Sequence, residues 1–151
     1  METPAQAATG LASLLAQSAS DRDDVSEAFA DADGCGSQLA GDQQVFRQAG
    51  SSRSQLLTTL KAGDFGASLP PAMVDDLVTA WQASVTVDRD YAEWAGDLRT
   101  AGCGTSTQSD PHYIAASQPN IRATHFKEAF VGQWDAVARK YGLKTYSQGE
   151  L

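Results

Sequence analysis

The two cysteines of the chain are the leading candidates for chemistry, because their type and spacing could form a disulfide or bind a metal. Cys35 and Cys103 each lie between two glycines, in the same Gly-Cys-Gly triplet. Neither has a second Cys or a His at zinc-ligand spacing, so no metal site is predicted at either triplet. The glycines let the backbone leave a helix and approach another segment closely, as a disulfide between the two triplets requires.

Three charged residues form a second candidate set. Asp88 interrupts an apolar stripe where a hydrophobic residue is expected, and a buried carboxylate needs a cationic partner. Arg22 and Arg53 lie at comparable distances from the cysteine-bearing segments. The first interpretation is a structural ion-pair layer that fixes helix register, and a ligand pocket or a catalytic site remains an alternative.

No cofactor and no metal site is predicted elsewhere in the chain. His112 and His125 do not share a helix face and have no ligand-type neighbours at metal spacing. The stretch DADGCGSQLAGD, residues 31–42, resembles an EF-hand loop in the spacing of its aspartates. However, Cys35 occupies a ligand position and the bidentate glutamate is missing, so calcium is not expected.

Composition bounds the fold and excludes some partners. A chain of 151 residues with 42% hydrophobic and 20% charged residues predicts one domain, 1–151, with a sizeable core. The net charge is -8, and lysines and arginines are scattered, which argues against binding to nucleic acid or to an anionic membrane. No apolar run is long enough to span a bilayer, and no signal peptide is evident at the N-terminus.

Hydrophobic periodicity predicts an all-α fold. Apolar residues recur at three-and-four spacing over four segments, and helix-ending glycines and prolines place their limits at about 4–32, 37–62, 70–101 and 111–141. Pro119 lies inside the fourth segment and predicts a kink or a short break there.

The connections between these helices are short, which favours an up-down-up-down four-helix bundle. In that topology the first and third connections lie at the same end, and they contain Cys35 and Cys103. We therefore predict one disulfide that joins these two connections. It would stabilise the fold by roughly 4 kcal/mol in the chain-entropy model and would indicate an oxidising compartment.

Two further features suggest contacts with other proteins. Trp94 lies one step off the apolar stripe of the third helix, so it is predicted to be partly exposed and to serve as a partner anchor. The tripeptide WAG at 94–96 and the pentapeptide YSQGE at 146–150 fit short patterns of type VII secretion substrates. In that interpretation Tyr146 and Glu150 are part of an export signal.

Four segments, spread over most of the chain, resemble a family of proteins. The segments are SASDRDDVSEAFADADGCG, AWQASVTVDRDYAEWA, the second Gly-Cys-Gly and NIRATHFKEAFVGQWDAVARKYGL. In this order they are similar to an uncharacterised helical module of actinobacterial proteins that often follows a transmembrane segment. The resemblance implies an extracytoplasmic location and a helical architecture, and it implies no activity.

Three functional hypotheses follow. The first is a non-catalytic extracytoplasmic interaction or sensory module that binds an unknown protein partner or small ligand. The second is a small-ligand-binding protein or enzyme built around Asp88 with Arg22 or Arg53. The third is a type VII secretion substrate, which would depend on Tyr146 and Glu150.

Overall fold

The computed structural model describes residues 2–151. Within this range the chain is all-α, as predicted, with four long helices and two short ones and no strand. The helices are α1 (Pro4–Asp33), α2 (Leu39–Ala62), α3 (Phe65–Ser68), α4 (Pro71–Ala101), α5 (Pro111–Ala115) and α6 (Ser117–Tyr141). None of the helices in residues 2–151 combines the length and apolarity needed to cross a membrane.

Local chemistry sets the helix ends. A capping box starts α1: the Thr3 hydroxyl accepts from the Gln6 N–H, and the Gln6 side chain accepts from the Thr3 N–H. The short helix α3 was not predicted, and it turns the chain so that Phe65 packs into the core. It lies within the short connection predicted between the second and third long helices.

The kink or short break predicted at Pro119 is a break in the helix three residues earlier. Helix α5 ends at Ala115, and α6 begins at Ser117. Pro119 has no N–H to donate to the Ala115 carbonyl, and its ring crowds that carbonyl, so one continuous helix cannot form. The next intact bond runs from the Asn120 N–H to the Ala116 oxygen at 2.9 Å, and Pro119 then lies in the first turn of α6, where proline is tolerated.

The core consists of two hydrophobic clusters. One is built around Trp81, Phe130 and Trp134, and the other around Phe46 and Trp94. Between the two clusters, each long helix places one charged residue on its buried face. These four residues, called here the polar layer, are Asp21 of α1, Arg53 of α2, Asp88 of α4 and Lys127 of α6.

The predicted disulfide is present. Cys35 and Cys103 are bonded, with their Cα atoms 6.1 Å apart, and they join the α1–α2 connection to the α4–α5 connection. The two glycines around Cys103 have φ of 85° and 62°, whereas around the first cysteine it is Cys35 itself that has a positive φ, 50°. Gly36 serves a different purpose, because a Cβ there would overlap the carboxylate of Asp31.

Candidate functional site

Arg53 and Asp88 form a buried ion pair at the α2–α4 interface. The Arg53 Nη1 donates to Asp88 Oδ1 at 3.0 Å and to Oδ2 at 2.8 Å. Their side chains are only 3% and 1% exposed, so solvent does not reach the pair. The other two donor nitrogens of Arg53, Nε and Nη2, are buried without a partner in residues 2–151.

Burial and the neighbouring positive charge shift the pKa of the Asp88 carboxyl in opposite directions. Burial raises the pKa of Asp88 above its ordinary value, and the charge and hydrogen bonds of Arg53 offset part of that rise. Lys127 lowers the Asp88 pKa further, and Asp21 raises it. The four members of the polar layer are therefore electrostatically linked.

Arg22 does not join this ion pair: of the two arginines predicted as alternative partners of Asp88, Arg53 forms the pair, and Arg22 lies outside the buried layer. Its Nε donates instead to the Gly149 carbonyl oxygen at 3.2 Å, in the C-terminal segment. The buried acid of α1 is Asp21, one residue earlier, which lies on the apolar stripe of the helix. Asp21 accepts from Gln17 Nε2 at 3.1 Å and from Ser52 Oγ at 2.7 Å.

Lys127 completes the polar layer and was missed by the sequence reasoning. Its side chain is buried and forms no ion pair in residues 2–151. Burial, with Arg53 and Arg22 nearby, lowers the pKa of Lys127 to about 7, although Asp88 opposes the change. The signal was available, because Lys127 interrupts the buried stripe that Ala123 and Phe130 continue, as Asp88 interrupts that of α4.

The stretch compared with an EF-hand loop is a helix corner in which two aspartates meet. Asp31 lies in the last turn of α1 and Asp42 in the first turn of α2. Burial, and then the contact with the Asp31 carboxyl, raises the pKa of Asp42 to about 7. The protonated form of Asp42 is therefore favoured at this corner.

A second titratable group lies near the disulfide end of α4. His112 Nδ1 is 2.7 Å from Asp97 Oδ2 and 3.8 Å from Asp110 Oδ1. The hydrogen bond to Asp97 raises the pKa of His112, which favours an imidazolium between two carboxylates. One ligand-type atom from each residue lies within 4.8 Å of the others, so within residues 2–151 this group could hold a metal ion.

The prediction that His112 has no ligand-type neighbour is wrong, because Asp97 reaches it from another helix and Asp110 lies only two residues away. Asp97 belongs to α4, and the connection folds α5 back against that helix. Asp110 has a separate structural role, since its Oδ1 accepts from the His112 N–H at 2.9 Å and caps α5.

Trp94 is fully buried, so the prediction of a partly exposed partner anchor is wrong. Its ring lies in the second cluster with Phe29 and Tyr113, at centroid distances of 5.4 and 5.1 Å. Its Nε1 donates to the Thr107 carbonyl oxygen at 2.8 Å, which satisfies the only polar atom of the side chain. Trp94 thus fixes the connection after α4 instead of meeting a partner.

The two residues of the export pattern lie in a folded C-terminal segment. Tyr146 is 6% exposed and packs in the first cluster, and its N–H donates to Asp135 Oδ1 at 3.1 Å. Glu150 accepts from the Ser147 N–H and hydroxyl. The bond to Asp135 holds the segment against α6, and the Glu150 contacts close a turn within the segment.

An apolar groove runs between α4 and α6, with a volume of about 670 Å³. Its lining residues are Gln82, Ala83, Thr86, Gln118, Pro119, Ile121, Arg122, His125 and Phe126. Ile121 is 58% exposed at this surface. The Arg122 guanidinium lies 5.0 Å from the centroid of the Phe126 ring. We call this surface the α4–α6 groove.

A separate polar cleft lies between α2 and α4 near the start of α5, with a volume of about 560 Å³. Its charged and titratable lining residues are Arg47, Arg89, Asp90, Glu93 and His112. We call it the α2–α4 cleft. Neither the groove nor the cleft is lined by Arg53 or Asp88.

Comparison of the chain with models of known protein families, with curated proteins and with solved structures gives no match. Function is therefore inferred from the geometry of the chain itself.

Proposed function

We propose that the protein is a non-catalytic interaction module that works outside the cytoplasm and binds a helical segment of a partner protein in the α4–α6 groove. The observation that carries this proposal is the exposed Ile121 beside Phe126 in an apolar groove. Contiguous apolar surface of this kind is typical of interaction sites, whereas isolated exposed hydrophobic residues are ordinary. Ile114, 59% exposed but outside the groove, is such an isolated residue.

The shape and the charge of the groove favour one kind of occupant. A groove between two helices suits an amphipathic helix that inserts apolar side chains at helical spacing. Arg122 is the only lining residue that is always charged, and no acidic residue lines the groove. The partner helix is therefore expected to present apolar residues together with a carboxylate for Arg122.

The bundle provides a rigid support for this surface. We infer an up-down-up-down arrangement of α1, α2, α4 and α6, because α1 packs on α2, α2 on α4 and α4 on α6. The disulfide between the connections that follow α1 and α4 supports this topology. A bundle crosslinked at one end presents the groove without a large ordering cost on binding.

The extracytoplasmic location has two supports. A disulfide between Cys35 and Cys103 persists in oxidising compartments and is rare in the cytosol. The resemblance to a helical module of actinobacterial proteins suggests the same location. We propose that the chain acts on the cell exterior, either secreted or attached to the membrane.

The other two hypotheses have weaker support. A ligand pocket at Asp88 requires access to the ion pair, but the Arg53 and Asp88 side chains are 3% and 1% exposed. A type VII export signal requires that Tyr146 be recognised, and it is 6% exposed. Each of these functions would therefore require the fold to open locally before recognition.

Site-specific photo-crosslinking tests the proposed function. A photoreactive amino acid replaces Ile121 in one variant and Ile114 in the matched control, and both are expressed in intact cells. We expect a specific crosslinked protein at position 121 and none at position 114. That protein is then purified, and its direct binding to the wild-type chain is measured.

The expected result is binding that Ile121→Asp and Arg122→Glu each weaken by at least about tenfold, while Ile114→Asp leaves it unchanged. Equal crosslinking at both positions would refute the groove as the docking surface. Another outcome is a crosslink between two copies of this chain, in a dimer that Ile121→Asp dissociates. That result would contradict the proposal of a partner protein and show that the groove binds a second copy of the chain.

A further inference from the structure

We propose that the α2–α4 cleft is a binding site for a free α-amino acid, whose carboxylate is held by Arg47 and Arg89 and whose ammonium group is held by Asp90 and Glu93. This inference is independent of the partner groove, because the two sites share no lining residue. It would add small-molecule sensing to the module.

The size of the cleft suits a small molecule. Its volume of about 560 Å³ falls within the usual range for small-ligand sites. Three elements contribute to it: α2 through Arg47, α4 through Arg89 and its neighbours, and α5 through His112. Gly50 also lines the cleft, and a Cβ there would lie 3.4 Å from the Asp88 Cβ, so the glycine lets α2 approach α4 closely at the floor of the cleft.

The charged groups of the cleft are not neutralised by one another. The ion pairs in residues 2–151 involve Arg53, Asp88, Asp97, Asp110 and His112, so Arg47, Arg89, Asp90 and Glu93 take part in none. Two cations and two anions that line one cleft without pairing form a surface with both signs of charge. Arg89 and Glu93 are one helical turn apart, where an ion pair would be expected to form.

Asp90 is partly desolvated, which increases what a cationic ligand group would gain there. Burial raises the pKa of Asp90, and the nearby His112 offsets part of that rise. A ligand ammonium group would add to the partial counter-charge that His112 gives Asp90. His112 is oriented by Asp97 through Nδ1, and its Nε2 has no partner in residues 2–151.

The mixed charge selects the ligand class. A simple anion such as phosphate would be repelled by Asp90 and Glu93, and a simple cation by Arg47 and Arg89. A zwitterion satisfies both pairs, and arginine holds a carboxylate with directed hydrogen bonds. An α-amino acid is the smallest common molecule with both groups on one carbon.

Isothermal titration calorimetry with the full chain tests the inference. The standard amino acids are screened first by thermal shift, and each hit is then titrated beside its amide, which lacks the carboxylate, and its 2-hydroxy acid, which lacks the ammonium group. The variants are Arg89→Gln and Asp90→Asn. Arg99→Gln is the control, because Arg99 is an exposed arginine of α4 that does not line the cleft.

We expect at least one amino acid to bind, and both analogues and both cleft variants to lose affinity by about tenfold or more. Arg99→Gln should bind as the wild type does. The inference is overturned if no amino acid binds at millimolar concentration. It is also overturned if the 2-hydroxy acid or phosphate binds equally well, since that is a simple anion site, or if Arg89→Gln has no effect.

Discussion

Arg53 and Asp88 meet through a single guanidinium nitrogen, because Nη1 reaches both carboxylate oxygens at 3.0 and 2.8 Å while Nε and Nη2 remain buried without partners in residues 2–151. Such a pair recovers only part of the cost of burying two charges. Replacing both residues with apolar ones should therefore reduce the stability of the fold less than replacing only one of them. The expected role is to fix the register of α2 on α4.

The first prediction concerns this asymmetry. Asp88→Leu should lower the free energy of unfolding by about 3–5 kcal/mol, because it leaves Arg53 charged and buried alone. The double variant Arg53→Met with Asp88→Leu should recover most of that loss. Urea unfolding measures both, with Asp75→Leu on the exposed face of α4 as the control. An unchanged midpoint for Asp88→Leu would show that Asp88 is not held in a buried ion pair.

The second prediction concerns Lys127. Its pKa is about 7 in the folded chain, against 10.5 when exposed, so between these values the unfolded chain binds more protons and stability rises with pH. Lys127→Met removes the buried amine and should be more stable than the wild type at pH 7, by about 1–4 kcal/mol. The advantage should shrink as the pH rises toward 10. Lys140→Met, at an exposed position of α6, should show no such trend.

The third prediction concerns the carboxyl pair at the α1–α2 corner. The pKa of Asp42 is raised from 3.8 to about 7, so its protonated form is favoured in the folded chain, and stability falls as the pH rises between these values. The free energy of unfolding of Asp42→Asn should equal that of the wild type near pH 4 and should be about 1 kcal/mol higher at pH 8. Chemical denaturation at both pH values tests this, with exposed Asp24→Asn of α1 as the control.

The fourth prediction concerns the crosslink. Cys35 and Cys103 are 68 residues apart, and opening a loop of this length should cost about 4 kcal/mol of unfolding free energy. The reduced wild type and the double variant Cys35→Ser with Cys103→Ser should both have this lower free energy of unfolding, relative to the oxidised wild type. A reductant should have no effect on the double variant, and an effect there would point to another cause.

Much of the fold was predictable because helix periodicity and helix-ending residues are local signals. The ends of α1 and α4 fall within one residue of the predicted limits. The disulfide was also predictable, since it follows from which connections share an end of the bundle. The interruption caused by Pro119 was predicted within a few residues of Ala116, whereas the short helix α3 was missed because it depends on backbone geometry that residue spacing does not record.

The candidate sites were less predictable, because they depend on which face of a helix its neighbours cover. Trp94 is one step off its stripe, but the connection through Thr107 covers it. Arg22 lies beside the stripe of α1, and the C-terminal segment binds it from outside. Likewise, Asp97 meets His112 only because α5 folds back onto α4. Lys127 could have been found by applying to α6 the test that identified Asp88.

The proposed extracytoplasmic role requires that the protein work outside the reducing cytoplasm, and the redox state of its two cysteines in cells tests this requirement most directly. Cells are quenched in acid, the denatured protein is alkylated before and after reduction, and its intact mass is measured. We predict that Cys35 and Cys103 are both protected until reduction. If both are alkylated in the unreduced sample, the disulfide does not form in cells and the extracytoplasmic role is contradicted.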